Sequence, residues 1–302
     1  MPAPVAKPAG SWQWGGVGDM LMVAGLGFAG AAAARAARKA GWRVMGTVRD
    51  PALAEDFADI AVVEFARAGP AMARATHLLV TAPPGEGGDP VLAAHGAALA
   101  TAPLCWIGYL STTGVYGDRG GGWVEEVTPP APGQPRSQRR LAAEAAWRGF
   151  AAGRCALDLF RAGGIYGPGR SAFDDLRAGT ARRIVKPGHA FGRIHRDDIA
   201  QAVLAAMEQE MAPGVRVLHL VDDEPAESAA VMEEAARLLG VPAPPALHFE
   251  EAAATMSPMA RSFWAENRKV SNRMTKAALG IAWRYPSYRE GLRAVLAEER
   301  LR

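Results

Sequence analysis

The sequence predicts an α/β protein built on a doubly wound parallel sheet, with a small C-terminal α/β lobe. Three observations carry this. From Met20 onward, short apolar runs alternate with Ala-rich helical stretches. A glycine-rich turn joins the first run to the first helix, and after about residue 165 the alternation loses its regularity. Strand–helix alternation predicts parallel strands with helices on both faces.

Taken in order, LMVAG reads as a strand, and AAAARAARKAG as a helix closed by Gly41. WRVMGTV is a second strand and ALAEDFAD a second helix. IAVVEF, HLLVTA and LCWIGYLS follow as strands, then the helix RRLAAEAAWRGFAAG and the strand RCALDLF. The rest reads as the helices SAFDDLRAG, DDIAQAVLAAMEQE, AESAAVMEEAARLLG and SYREGLRAVLAEERL, with the strand VRVLHLV among Pro/Gly breaks. The expected organisation is a leader over 1–19, a nucleotide-binding domain over 20–164, and a lobe over 165–302 from which some segments return to the first domain. PPAPGQP, at 129–135, reads as a loop between core elements.

Composition narrows the functional classes. Of 302 residues, 49% are hydrophobic and 22% charged, which fits a chain with a sizeable core. Lys+Arg 34 against Asp+Glu 31 leaves +3, and the tightest basic run, Arg136, Arg139 and Arg140, is short, so no nucleic acid partner is expected. No apolar run of about 18 residues occurs, so no membrane span is expected. Cys105 and Cys155 each sit in an apolar stretch and are expected to be buried, reduced thiols in a cytoplasmic protein, with no metal site. The first 19 residues lack the apolar segment of a secretion signal and read as a loose leader, whose Trp12 and Trp14 could dock on the body.

VAGLGFAG supplies Gly25-x-Gly27-x-x-Gly30 between a strand and a helix. Glycines there permit a tight turn, a close approach to a pyrophosphate, and helix–sheet packing, while the free N–H groups at the helix start face the phosphates. Following a strand and opening a helix, the motif points to a Rossmann-type dinucleotide site formed by Gly25, Gly27, Phe28, Ala29 and Gly30. An NAD site would carry an acid at the end of the second strand. Gly46-Thr47-Val48-Arg49 stands there instead, and a guanidinium suits a 2′-phosphate, so NADP is favoured over NAD. Asp50 reads as a turn residue before Pro51.

At STTGVYGD, hydroxyl residues follow an apolar strand where parallel sheets bind ligands. With VAGLGFAG, RRLAAEAAW, FRAGGIYGPGR and GRIHRDDIAQAV in order, the chain resembles the extended short-chain dehydrogenase/reductase family, which includes nucleoside-diphosphate-sugar epimerases and dehydratases. These segments cover most of residues 20–205, and KVSNRMTKAALG and YPSYREGL are similar to less characterised members. The resemblance implies that Gly25, Gly27 and Gly30 form the phosphate turn, although Ala24 stands where extended members usually carry glycine. It implies that Thr112 binds the reacting substrate oxygen, and that Arg193 contacts the diphosphate of a sugar nucleotide. A salt bridge of Arg193 with Asp197 or Asp198 is the alternative.

The family's Tyr-x-x-x-Lys pair is missing. Arg136-Ser137-Gln138-Arg139-Arg140 occupies its place, with Arg136 for the tyrosine and Arg140 for the lysine. Arginine stays protonated, so Arg136 cannot serve as general acid or base near neutral pH, whereas Arg140 can still hold the ribose. Losing a positioned acid/base group removes about 10²–10⁴ in rate, and orientation can contribute more than that. Tyr116, Tyr166 or His195 could substitute, each with a structural alternative. The expectation is an NAD(P)-dependent oxidoreductase or epimerase-like enzyme acting on a small molecule, such as a sugar nucleotide, with a non-catalytic sensor or scaffold as the alternative. Members often dimerise through helices flanking the middle of the sheet, which implies a homodimer through RRLAAEAAWRGFAAG and PVLAAHGAALA.

Overall fold

The structure is a computed structural model that describes residues 20–301; the leader, with Trp12 and Trp14, lies outside the described residues. The described residues open with β1 (Met20–Ala24), α1 (Phe28–Lys39), β2 (Arg43–Val48), β3 (Ala61–Glu64), α2 (Gly69–Met72), β4 (His77–Val80) and α3 (Pro90–Thr101). Next come β5 (Trp106–Thr112), β6 (Trp123–Val124), α4 (Pro135–Ala151), β7 (Ala156–Ala162), β8 (Gly164–Tyr166), α5 (Ala172–Arg177), β9 (Arg183–Val185) and β10 (Arg193–His195). The chain continues with α6 (Arg196–Met207), β11 (Gly214–Leu220), α7 (Ser228–Leu239), β12 (Ala246–His248) and α8 (Phe249–Ala254). It finishes with α9 (Pro258–Phe263), β13 (Lys269–Val270), α10 (Arg273–Leu279) and α11 (Tyr288–Glu299).

Seven strands form one parallel sheet in the order β11-β7-β5-β4-β1-β2-β3. β1, β4 and β7 are buried along their whole length, which is why they read as continuous apolar runs rather than alternating ones. On one face α1 and α6 cover Leu21, Val23, Leu79 and Leu110. Their contact is built from small residues, including Ala29, Ala33 and Ala37 of α1 and Ala202 and Ala206 of α6. The other face buries Met22, Leu78, Ile107 and Leu159 beneath α3 and α4, with Trp147 as the largest wedge.

Strand order reverses between β1 and β4, so the crevice at their carboxyl ends is the topological switch point. β11 and α6 follow residue 165 in the chain yet belong to the sheet layer. The remaining later elements form a smaller assembly, in which β9 pairs with β12 and Phe173, Tyr288 and Leu292 pack together under α5, α7 and α11. The short pairs β8–β10 and β6–β13 tie it to the sheet's carboxyl edge.

Two local readings differ from the structure. Pro51–Phe57 winds as a 3₁₀ turn rather than a full helix. Asp50 accepts from the Ala52 amide and starts the turn, but no residue of the segment is buried, so no apolar face holds a longer helix. Cys155 is buried, whereas Cys105 is exposed, because it precedes β5 at the amino edge of the sheet instead of lying within the strand.

Candidate functional site

The glycine turn closes the carboxyl end of β1. Gly25 has φ +111°, a conformation L side chains rarely adopt, and its carbonyl accepts from Thr81 Oγ1 at 2.5 Å. A Cβ on Gly30 would fall 2.2 Å from that carbonyl, so only glycine lets α1 pack this close. Leu26 fills the space that a Cβ on Gly46 would need, and its amide donates to the Thr47 carbonyl. Gly27 is exposed, and a Cβ there would meet nothing within 4 Å. The first amide of α1 with an intrahelical acceptor is Ala31, leaving those of Phe28, Ala29 and Gly30 at the open helix start. These unspent amides facing open space have the geometry in which helix N-termini hold anions, and a diphosphate would fit there. Arg49 lies exposed directly after β2, and Asp50 is occupied in capping the turn that follows.

Beside this crevice a cavity of about 470 Å³ opens between the sheet edge and the smaller assembly. Thr112, Arg136 and Arg140 line one side, and Phe191, Arg193, Phe263, Trp264, Glu266 and Arg268 contribute from the other. The structure thus brings Thr112, Arg136, Arg140 and Arg193 into one space. Four guanidinium groups and one carboxylate line it, a net positive lining that would favour an anion.

Each of these side chains has an identifiable anchor. Thr112 ends β5, and its Oγ1 accepts from the Gly114 amide at 3.1 Å, leaving its own O–H to donate. Arg140, one turn into α4, donates to the Leu110 carbonyl at 2.7 Å. Arg193 donates to the Phe191 and Ala226 carbonyls at 3.0 and 2.9 Å rather than bridging to Asp197 or Asp198. Asp198 instead accepts from the Arg284 and Tyr285 amides. Arg268 donates to the Gly117 carbonyl and pairs with Glu266, both at 2.9 Å. Arg136, at the start of α4, stacks its guanidinium 3.6 Å from the centre of the Phe263 ring.

Tyr116, Tyr166 and His195 do not line the cavity. Tyr116 is fully buried, and its hydroxyl lies 2.5 Å from His219 Nε2 and 2.7 Å from Arg161 Nη1. His219 Nδ1 is 2.6 Å from the Ser271 carbonyl, which can only accept, so Nδ1 carries the proton and Nε2 accepts from the tyrosine. Burial pushes the Tyr116 phenol up and His219 down, keeping both neutral. Arg161 also forks onto Glu144, which accepts from Ser111, giving a closed polar network beneath the site. Tyr166 is buried against the His195 ring, with desolvation raising its phenol far above the usual value. His195 is buried and caps α6 by accepting from the Asp197 amide, and desolvation lowers it to about 4. Among the described residues no group of three or more His, Cys, Asp or Glu could hold a metal, and no helix is long and apolar enough to cross a membrane.

Arg268, Phe263 and Glu266 were not picked out from sequence. Arg268 immediately precedes KVSNRMTKAALG, but nothing local marks it; its place depends on Gly117, 151 residues away in the chain.

Comparison with known proteins places this geometry among others. No known family model matches the chain. A conserved protein of unknown function from Silicibacter pomeroyi is 41% identical, with a TM-score of 0.84 over 93% of this chain and 99% of that one. The protein MoeE5, solved with UDP-glucuronic acid and NAD, is 20% identical with a TM-score of 0.74, covering 94% of this chain and 99% of its own. The human epimerase family protein SDR39U1, solved with NADPH, is 19% identical with a TM-score of 0.74, covering 92% and 99%. A curated relative, the 3-diazoavenalumate denitrifying reductase of a Streptomyces species, is 34% identical over 142 residues. That match takes in 44% of this chain and spans 45% of the relative's length.

Proposed function

We propose that this chain, like the Silicibacter pomeroyi protein it matches over 93% of its length, is an epimerase-like member of the extended short-chain dehydrogenase/reductase family and an NAD(P)-dependent oxidoreductase acting on a small anionic molecule. The observation that supports this best is the open Gly25–Gly30 cradle lying beside a cavity lined by Thr112 and four arginines. The amides of Phe28, Ala29 and Gly30 would hold the diphosphate, and Arg49 the 2′-phosphate of NADP. A nicotinamide, when bound, supplies or accepts a hydride. Thr112 donates its hydroxyl to a substrate oxygen, and Arg140 keeps positive charge at the end of β5. Among the described residues no tyrosine, lysine or histidine lines the cavity, and its one carboxylate, Glu266, is paired with Arg268. MoeE5 was solved with sugar nucleotides, and a sugar nucleotide is one anionic substrate the cavity could take.

The arginines standing in place of a tyrosine and a lysine favour a second reading, a non-catalytic NAD(P) sensor or scaffold. Fluorescence titration with NADPH and NADH separates these readings. Binding of NADPH that weakens on Arg49→Ala, followed by its steady consumption with a carbonyl or sugar-nucleotide substrate, supports the enzyme. Binding without turnover across the panel supports the sensor, and failure of both cofactors to bind ends both readings. We also propose a homodimer, through the outward faces of α3 and α4, where Ala93, Ala97, Ala142, Ala145 and Ala146 are exposed.

A further inference from the structure

The four cavity arginines are not equivalent. Arg140, Arg193 and Arg268 each spend nitrogens on main-chain carbonyls, and Arg268 also on Glu266. Arg136 makes no ion pair and no bond to a carbonyl among the described residues; its Nη1 lies 3.7 Å from Met259 Sδ, a weak acceptor. The stack on Phe263 fixes the plane of its guanidinium without using its N–H groups. A planar fork, oriented and chemically unspent, thus stands where a proton donor would be expected.

We propose that Arg136 is the substrate-specificity residue of this site: it holds an anionic group of the substrate, carboxylate or phosphate, against Phe263. Geometry supports this in two ways. Arg136 is partly withdrawn from water, which weakens its cation; Glu266 steadies it through space without pairing with it, and Arg268 adds like charge. The aromatic rings of Phe263, Phe191 and Trp264 also line the cavity, so a planar anion meets apolar walls as well as the fork. The proposal rests on the cavity being the substrate site. It does not require the nicotinamide nucleotide, and Arg136 keeps its proton throughout.

Isothermal titration of the full chain without cofactor tests this, using cinnamate as a carboxylate, its uncharged amide as control, and UDP-glucose as a phosphate source. The expected result is that at least one anion binds tenfold or more tightly than cinnamamide. Arg136→Gln should remove that preference while leaving amide binding unchanged, and Arg136→Lys should restore part of it. Preference for cinnamate assigns a carboxylate and preference for UDP-glucose a phosphate; either supports the proposal when it depends on Arg136. Equal binding of acid, amide and UDP-glucose overturns it, as does an anion preference that survives Arg136→Gln. Thermal unfolding of each variant confirms that it is folded. NADPH titration of the same samples keeps the two readings apart: Arg136-dependent anion binding without NADPH binding sinks the cofactor reading alone, and the converse sinks this one alone.

Discussion

Gly27 and His195 show how single positions separate function from stability. Gly27 has φ −89° and ψ −165° at the cap of α1, a conformation any residue can adopt, and open space where a side chain would point. Gly27→Ala is expected to change stability by less than about 1 kcal/mol. Its methyl group would stand where the dinucleotide backbone approaches, so NADPH affinity should fall tenfold or more, about 1.4 kcal/mol. Unfolding curves and fluorescence titration of one preparation check both halves. Unchanged NADPH affinity would show that the cradle does not bind the diphosphate.

His195 gives a pH prediction with a definite sign. Its folded value is depressed from 6.5 to about 4, so the neutral form is favoured in the native state. The unfolded chain therefore takes up the proton first as pH falls. Its contribution is complete above pH 6.5 and is lost between 6.5 and about 4, up to about 3 kcal/mol. His189 is lowered by burial over the same range. His195→Asn keeps an acceptor for the Asp197 amide but cannot titrate, so its stability should fall less steeply on acidification. Denaturant midpoints at several pH values measure the difference, and parallel curves for wild type and variant would refute the assignment.

At the scale of elements, α4 is held to β7 by a buried ion pair. Arg161 and Glu144 meet at 2.7 Å with side chains 2% and 0% exposed. Removing one partner leaves an uncompensated buried charge, so Glu144→Gln is expected to lower stability by about 3–5 kcal/mol. Replacing both, as Glu144→Leu with Arg161→Met, should be less damaging than the single change. Chemical denaturation reports each value. The elements themselves were largely legible, because strands buried on both faces must be apolar throughout and α1 and α6 must be small to pack together. Pro51–Phe57 was less legible: ALAEDFAD has helix-forming residues, but the length of the helix depends on a partner surface that this segment does not find. Tyr116 was similarly ambiguous, since the same VYG turn could expose a phenol or bury it. The choice is made by His219 from β11, 103 residues on.

The whole molecule determines how the cavity and its surroundings are used. If the homodimer forms through α3 and α4, sedimentation should give twice the chain mass, and Ala146→Glu should shift the equilibrium toward monomer without loss of fold. A wild-type monomer at micromolar concentration would exclude that interface.

Turn chemistry and hydrophobic pattern are local properties, and they sufficed for the parallel sheet and the glycine turn. The availability of a guanidinium is not local. Arg140, Arg193 and Arg268 look as free as Arg136 in the sequence, yet their donors are taken by carbonyls delivered by other segments. Only the folded chain sets those carbonyls in place, because hydrogen bonds form over about 3 Å whatever the separation along the chain.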